Sequence, residues 1–258
     1  MKHKHKCFLE LIRREMYLFF KEFTSRIIDI SIVLASNVLV FGYLMSKMGL
    51  NTSYGAFILV GAISSFGLFI TISRATVLAQ DANDKKISNF LILPISSSAV
   101  FISIAFSWAL QTSILSLCLF PLGKLLLWNK FDLSHFSIIK FVLMFISTNL
   151  FYGFFALWIA SFVTNLRDTS WLWCRVINPL FMFCGYYYSW QAVYELSPAI
   201  GTLHFLNPLL YVLEGTKAAI LGQTGYLSFW ICLFAVCSFG TLFACHAISR
   251  FKKQLDCV

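Results

Sequence analysis

The sequence predicts an all-α integral membrane protein with six transmembrane helices. Hydrophobic residues make up 59% of the chain and charged residues only 12%, whereas a soluble domain carries about 25% charged residues. Charge is absent from six stretches, 30–46, 48–73, 87–123, 141–166, 176–194 and 218–249. Each is close to or above the roughly 20 residues of helix that cross a bilayer. Such long continuous apolar runs are typical of helices rather than barrel strands.

The distribution of basic residues predicts the orientation. With a cytoplasmic N-terminus, fifteen Lys and Arg residues lie on the cytoplasmic side and five lie outside, as the positive-inside rule requires. An even number of spans also places the C-terminus in the cytoplasm. We therefore expect a multi-pass protein of the inner (plasma) membrane. The net charge of +9 favours anionic membrane lipids as partners, and we expect no nucleic-acid binding.

The N-terminal residues 6–26 form the first predicted element, an amphipathic helix. Apolar side chains recur at three- and four-residue spacing on one face, and basic side chains occupy the other. The members of the apolar face are Phe8, Ile12, Met16, Phe19 and Phe23. We expect this helix to lie in the cytoplasmic membrane interface. The alternative is a cytosolic extension of the first span.

The spans follow in order, within a single domain that covers residues 1–258. Their approximate bounds are 28–46, 54–74, 99–121, 138–163, 171–190 and 226–248. Between the second and third spans, residues 75–98 interrupt the apolar pattern on the cytoplasmic side. This segment predicts a short amphipathic helix that ends at Pro94.

The segment 191–225 separates the last two predicted spans and is unlike a solvated loop. It is too long for a tight turn and largely apolar. Pro208 is suited to the start of a helix, and Leu209 to Leu221 can continue it for about three and a half turns. A helix shorter than a span predicts an external re-entrant hairpin, because irregular backbone at membrane depth must lie against protein or water.

Polar residues within this hairpin are expected to give its helix a wet face. Glu214 and Lys217 are three residues apart, so they can neutralise one another on one side of the helix. Gly222 permits the chain to leave the membrane. With Asn207 and Pro208, these residues form a predicted external gate, and the alternative is a purely structural hairpin.

The chain contains no recognisable catalytic or metal-binding motif. It has no GxxxxGK[ST] loop, no HExxH, no CxxC and no GxSxG. Its eight cysteines fall mostly within spans or at their cytoplasmic ends and are read as small apolar side chains. We therefore expect no enzyme activity, no metal and no cofactor in this chain.

Two segments and the order of the elements resemble the ABC-2 family of ABC transporter permeases. The first segment is DANDKKISNFLILPIS, residues 81–96, and the second is NPLLYVLEGTKAAILG, residues 207–222. In the second segment the usual arginine is Lys217. In the first, Asn and Lys replace the usual Gly and Glu pattern. The resemblance extends over essentially the whole chain.

The resemblance implies the membrane subunit of an ATP-driven exporter. Two copies, or one copy and a paralogous permease, would form the translocation path. A separate ATP-binding subunit would supply ATP and magnesium, and substrates in the family include lipids, drugs and lipid-linked saccharides. The interfacial helix and the segment 81–98 would contact the ATPase, through Asp84, Lys85, Lys86, Ile87, Phe90 and Pro94. The alternative for these residues is an ordinary solvated loop.

Three polar residues within predicted spans are candidates for a path through the dimer. They are Asn37, Arg175 and Asn178, although snorkelling to the interface explains Arg175 equally well. An ion-coupled secondary transporter or a polytopic membrane enzyme without an ATPase partner is the alternative function.

Overall fold

A computed structural model describes residues 2–49, 53–83, 95–128, 131–163 and 170–256, and these residues are helical with no β-strand. We number the helices in chain order. The bounds are α1 (Lys2–Asn37, continued by a π-helical segment Val38–Leu44 and by Met45–Lys47), α2 (Tyr54–Asn83), α3 (Ser97–Leu127), α4 (Ile138–Ala160), α5 (a π-helical segment Trp173–Ile177 followed by Asn178–Met182), α6 (Trp190–Leu196), α7 (Pro198–Leu203 with a 3-10 turn His204–Leu206), α8 (Pro208–Ile220) and α9 (Phe229–Asp256).

Within the described residues, five helices are long and apolar enough to cross a membrane. They are α1, α2, α3, α4 and α9, which correspond to the first four predicted spans and the last one. The predicted fifth span differs, because its helix ends at Met182 rather than near residue 190. A span count of six therefore stays a prediction.

The end of α5 has a local cause. Gly185 has a φ of +82°, a conformation that only glycine adopts readily and that a continuous helix cannot contain. Ser189 then caps α6 by accepting a hydrogen bond from the Ala192 N–H. The apolar run 176–194 is thus a helix, a turn and a second helix rather than one span.

Residues 6–26 and the first predicted span form one uninterrupted helix, α1. No break separates residues 6–26 from the residues that follow them in α1, and the placement of 6–26 in the membrane interface stays a prediction. The predicted apolar face is the inner face of α1. Phe19 is fully buried, and Met16 and Phe23 pack against the core. Phe8 and Ile12 are half-buried, and α1 packs chiefly against α3.

The bundle is built around α2, whose most apolar stretch is largely buried, while α1 and α9 expose most of theirs. Small residues permit close helix contacts, as is usual in membranes. At Gly153 of α4, an added Cβ would clash with the Ala105 carbonyl oxygen of α3. The Tyr152 hydroxyl donates to the Ser64 carbonyl oxygen at 2.9 Å, which joins α4 to α2.

The predicted ATPase-contacting segment is flanked by α2, which extends to Asn83, and by α3. Ser96 caps α3 by accepting a hydrogen bond from the Ala99 N–H at 3.4 Å. The individual residues predicted to contact the ATPase lie outside the described residues. They are Asp84, Lys85, Lys86, Ile87, Phe90 and Pro94, and their role stays a prediction.

Candidate functional site

The start of α8 is anchored by Asn207. Its side-chain oxygen accepts a hydrogen bond from the Leu209 N–H at 3.0 Å, and its side-chain nitrogen donates to the Leu180 carbonyl oxygen at 2.7 Å. Pro208 occupies the first helical position, where its missing N–H leaves no bond unmade. The predicted helix start is therefore confirmed, and the Asn207 side chain links α8 to α5.

Glu214 lies in the middle of α8 and is completely buried. One carboxylate oxygen accepts a hydrogen bond from the Trp190 N–H and the other from the Leu227 N–H, both at 3.1 Å. Trp190 begins α6, and Leu227 lies just before α9. Hydrogen bonds to an ionised acceptor are stronger than neutral ones. A single carboxylate thereby ties α8 to the segments on both sides of it.

Lys217 is also completely buried, one turn further along α8. Its ammonium group donates to the Gly185 carbonyl oxygen at 2.6 Å and lies 3.4 Å from the centroid of the Phe57 ring on α2. An ammonium over an aromatic face is attracted by the ring quadrupole, most strongly where water is excluded. Lys217 therefore joins α8 to the turn that ends α5 and to the central helix of the bundle.

The prediction that α8 has a wet face is wrong. Only Tyr211 among the residues of α8 is less than fully buried, and Glu214 and Lys217 bind backbone groups rather than each other. Loss of hydration raises the pKa of the Glu214 carboxyl and lowers the pKa of the Lys217 ammonium, while each charge partly offsets this shift in the other. The two residues stabilise contacts within the protein instead of lining water.

Further side-chain hydrogen bonds hold the aromatic segment 185–194 against the rest of the protein. The Tyr54 hydroxyl donates to the Tyr187 carbonyl oxygen at 2.8 Å, and the Trp190 indole N–H donates to the Gly201 carbonyl oxygen at 2.9 Å. The first bond joins α2 to the turn, and the second joins α6 to α7. The segment after α5 is therefore a packed unit, here called the hairpin cap, that covers residues 183–228.

Asn37, a predicted path residue, also contacts the hairpin cap. It is half-buried, and its side-chain oxygen accepts a hydrogen bond from the Tyr186 hydroxyl at 3.3 Å. Its side-chain nitrogen donates to the Val33 carbonyl oxygen one turn earlier in α1. The side chain is thus engaged with protein on both ends, and its place on a transport path stays a prediction.

Arg175 and Asn178 differ from these residues because both are exposed on α5. Arg175 lines a groove of about 540 Å³ between α5 and α7, whose walls include Leu180, Phe183 and His204. Asn178 lines a second groove, of about 240 Å³, on another side of the same helix. The α5 surface therefore combines polar groups with open apolar clefts.

Several contacts of the hairpin cap could not be assigned from the sequence. Gly185, Trp190 and Leu227 bind the two charged residues through backbone atoms, which carry no residue-specific signal. Phe57 is one of 28 phenylalanines, and nothing near it marks a partner for a cation. The glycine in an aromatic, charge-free run was the one local sign that the helix stops there.

The chain matches a known protein family over most of its length. The family model described as ABC-2 type transporter matches residues 6–221. The chain belongs to the ABC-2 type transporter family. No curated protein gave a significant match to this ABC-2 chain. The matched region includes α1 from residue 6, all of α2 to α5, the hairpin cap as far as the end of α8, the first motif segment and the second motif segment up to Leu221, so the ABC-2 chain is a membrane component of a transporter.

Proposed function

We propose that this ABC-2 chain is the permease subunit of an ATP-driven exporter in the plasma membrane. Two copies, or one copy and a paralogue, form the path, and separate ATP-binding subunits dock on the cytoplasmic segments. The substrate is a lipid, a drug or a lipid-linked saccharide. ATP and magnesium belong to the partner subunit.

The match of residues 6–221 to the ABC-2 type transporter family carries this proposal, and the exposure of Arg175 on α5 supports its substrate class. A guanidinium group at the centre of a bilayer is unfavourable by about 2.5–3.5 kcal/mol even on the lower scales, so such residues face water or protein. Arg175 lies beside an open groove whose other walls are mostly apolar. A surface with one cation and a broad apolar cleft suits an amphipathic solute and disfavours a small ion.

Exposed apolar residues around the same groove support a second permease copy on this side. Phe183, Leu203 and Leu206 are 57%, 64% and 76% exposed. Contiguous apolar surface of this kind marks an interaction site or lipid contact, and a two-fold pairing would bring the two α5 surfaces together around one path. The groove is then enclosed by two chains.

The hairpin cap is the proposed external gate. Glu214 joins α8 to the start of α6 and Lys217 joins α8 to the turn at Gly185, so these parts of the cap are expected to move together rather than residue by residue. Rigid-body motions of packed elements are a common way to open and close a path.

The proposal is tested by ATP dependence. The chain is purified with an ABC-type ATP-binding subunit, which we expect an adjacent reading frame to encode, and ATP hydrolysis is measured in lipid with candidate lipids, drugs and lipid-linked saccharides. We expect stimulation by the true substrate and no transport by the permease alone. Transport or substrate turnover by the isolated chain without an ATPase would overturn the proposal in favour of a secondary transporter or a membrane enzyme.

A substitution in the predicted docking segment tests the coupling surface. Phe90→Asp is expected to abolish stimulated ATP hydrolysis while membrane insertion is retained, because a carboxylate would disrupt an apolar contact with the ATPase. Phe90→Leu is the matched control, since it keeps the apolar character. Unchanged stimulation in Phe90→Asp would remove this segment from the docking surface.

A further inference from the structure

A small polar cavity lies at the point where α2, α3, α4 and α8 meet. Polar side chains from all four helices line it, and each is 6% exposed or less. They are Ser64, Ser116, Thr148, Asn149 and Thr216. The remaining walls are apolar and include two phenylalanines. Five polar side chains therefore converge inside an otherwise apolar part of the bundle.

Thr148 is the unusual member of this set. Its hydroxyl oxygen is buried and has no hydrogen-bond partner among the described protein atoms. A buried polar group without a partner destabilises the fold by about 1–3 kcal/mol, and most such groups in proteins are satisfied by protein or by ordered water. The position of this hydroxyl on the cavity wall indicates that the cavity supplies its partner.

The other polar groups retain the capacity to accept hydrogen bonds. The Ser64 and Thr216 hydroxyls each donate to the carbonyl oxygen four residues earlier in their own helix, at 2.7 Å. The Asn149 side-chain nitrogen does the same at 2.8 Å. These bonds use both hydroxyl hydrogens and one of the two amide hydrogens of Asn149, and they leave hydroxyl lone pairs and the amide oxygen of Asn149 for another ligand.

We propose that one water molecule is bound in this cavity as a structural element of the permease. The cavity volume is about 10 Å³, and a cavity needs roughly 10–15 Å³ of this measure to hold one water. Water accepts the hydrogen bond from Thr148 and donates to the acceptors of Asn149 and of Ser64 or Thr216. The described lining residues include no carboxylate, so a bound metal cation would lack the charge that such sites provide.

The bound water also affects how α8 contacts the rest of the bundle. Thr216 precedes Lys217 in α8, so a water that bonds to Thr148 and Thr216 joins the hairpin cap to α4 beside the buried cation. A water bridge is nearly as favourable as a direct hydrogen bond, and its two partners need not touch.

The sign of a stability change tests the proposal. Thr148→Val keeps the shape of the side chain and removes its hydroxyl. If water is bound, the substitution deprives it of a partner, and we expect the melting temperature of the purified full chain to fall by about 2–4 °C. If no water is bound, the substitution removes an unsatisfied hydroxyl, and the melting temperature rises or stays the same, which overturns the proposal.

Thr112→Val is the matched control. Thr112 is equally buried, but its hydroxyl donates to the Ala109 carbonyl oxygen of its own helix at 3.0 Å, so its replacement reports the loss of an ordinary intrahelical bond. The drop for Thr148→Val should exceed the drop for Thr112→Val. A density map of the wild-type protein that resolves ordered waters provides the direct observation. A peak within hydrogen-bonding distance of the Thr148 hydroxyl is expected, and its absence overturns the proposal even if both variants fold poorly.

Discussion

Lys217 on α8 and Arg175 on α5 are both cations in apolar surroundings, yet the protein accommodates them in opposite ways. Lys217 is completely buried and is held by a carbonyl oxygen and an aromatic ring. Arg175 is exposed beside an open groove. Both solutions avoid a bare charge in hydrocarbon. The buried cation is held by the fold, whereas the exposed one on α5 remains free to contact another molecule.

The largest effect is expected from Lys217→Met. The substitution leaves the Gly185 carbonyl oxygen without its donor and removes the cation that offsets the Glu214 charge, so the free energy of unfolding should fall by about 3–5 kcal/mol. Thermal unfolding of the purified protein measures it. Lys47→Met is the control, because Lys47 is exposed at the end of α1. Equal melting temperatures for the two variants would show that Lys217 is not held as described.

A smaller loss is expected from Glu214→Gln. The amide keeps one oxygen for the Trp190 or Leu227 N–H but cannot accept from both with equal strength, so stability should fall by about 1–3 kcal/mol. Hydrogen exchange at those two amides gives a local measure, and both should exchange faster than in the wild type.

The double variant Glu214→Gln, Lys217→Met sharpens this result. Removing both charges should be less destabilising than the sum of the single changes, because neither charge is then left buried alone. Strict additivity would contradict the electrostatic coupling between them. A double variant that is worse than the sum would contradict it as well.

The smallest effect on stability is expected from Arg175→Ala. An exposed side chain away from packed contacts usually changes stability by less than about 0.5 kcal/mol. Substrate-stimulated ATP hydrolysis by the assembled complex should nevertheless fall severalfold, because the cation at the groove is lost. Arg175→Lys retains the charge and should recover part of the activity. A stable variant with full stimulation would remove Arg175 from the path.

Much of the fold is predictable because lipid imposes a simple rule on sequence. Stretches without charge had to be helices, and five long helices occur where the apolar runs predicted them. The start of α8 was also predictable, since Asn207 and Pro208 are a local capping signal whose geometry depends on neighbouring residues only. Both inferences use information carried within one segment.

The remaining features depend on contacts between distant segments. The absence of charge from 176–194 was equally compatible with a span and with the turn at Gly185. The spacing of Glu214 and Lys217 suggested mutual pairing on a wet surface. Their actual partners are backbone atoms and a ring from other elements, which no local pattern reveals. The basic residues of 6–26 suggested an interfacial helix, but a helix can continue through a change of solvent.

Because α1 continues from residues 6–26 into the first predicted span, we expect it to act as a long lever. From Lys2 to Lys47 it extends for about 65 Å at the usual helical rise, roughly twice the thickness of the hydrocarbon core. A load on the N-terminal arm is therefore carried mechanically along the helix toward Asn37 and its contact with the hairpin cap. The π-helical segment Val38–Leu44 interrupts the regular bonding just beyond that contact, as π-bulges often do at functional sites, and it is where we expect the lever to bend.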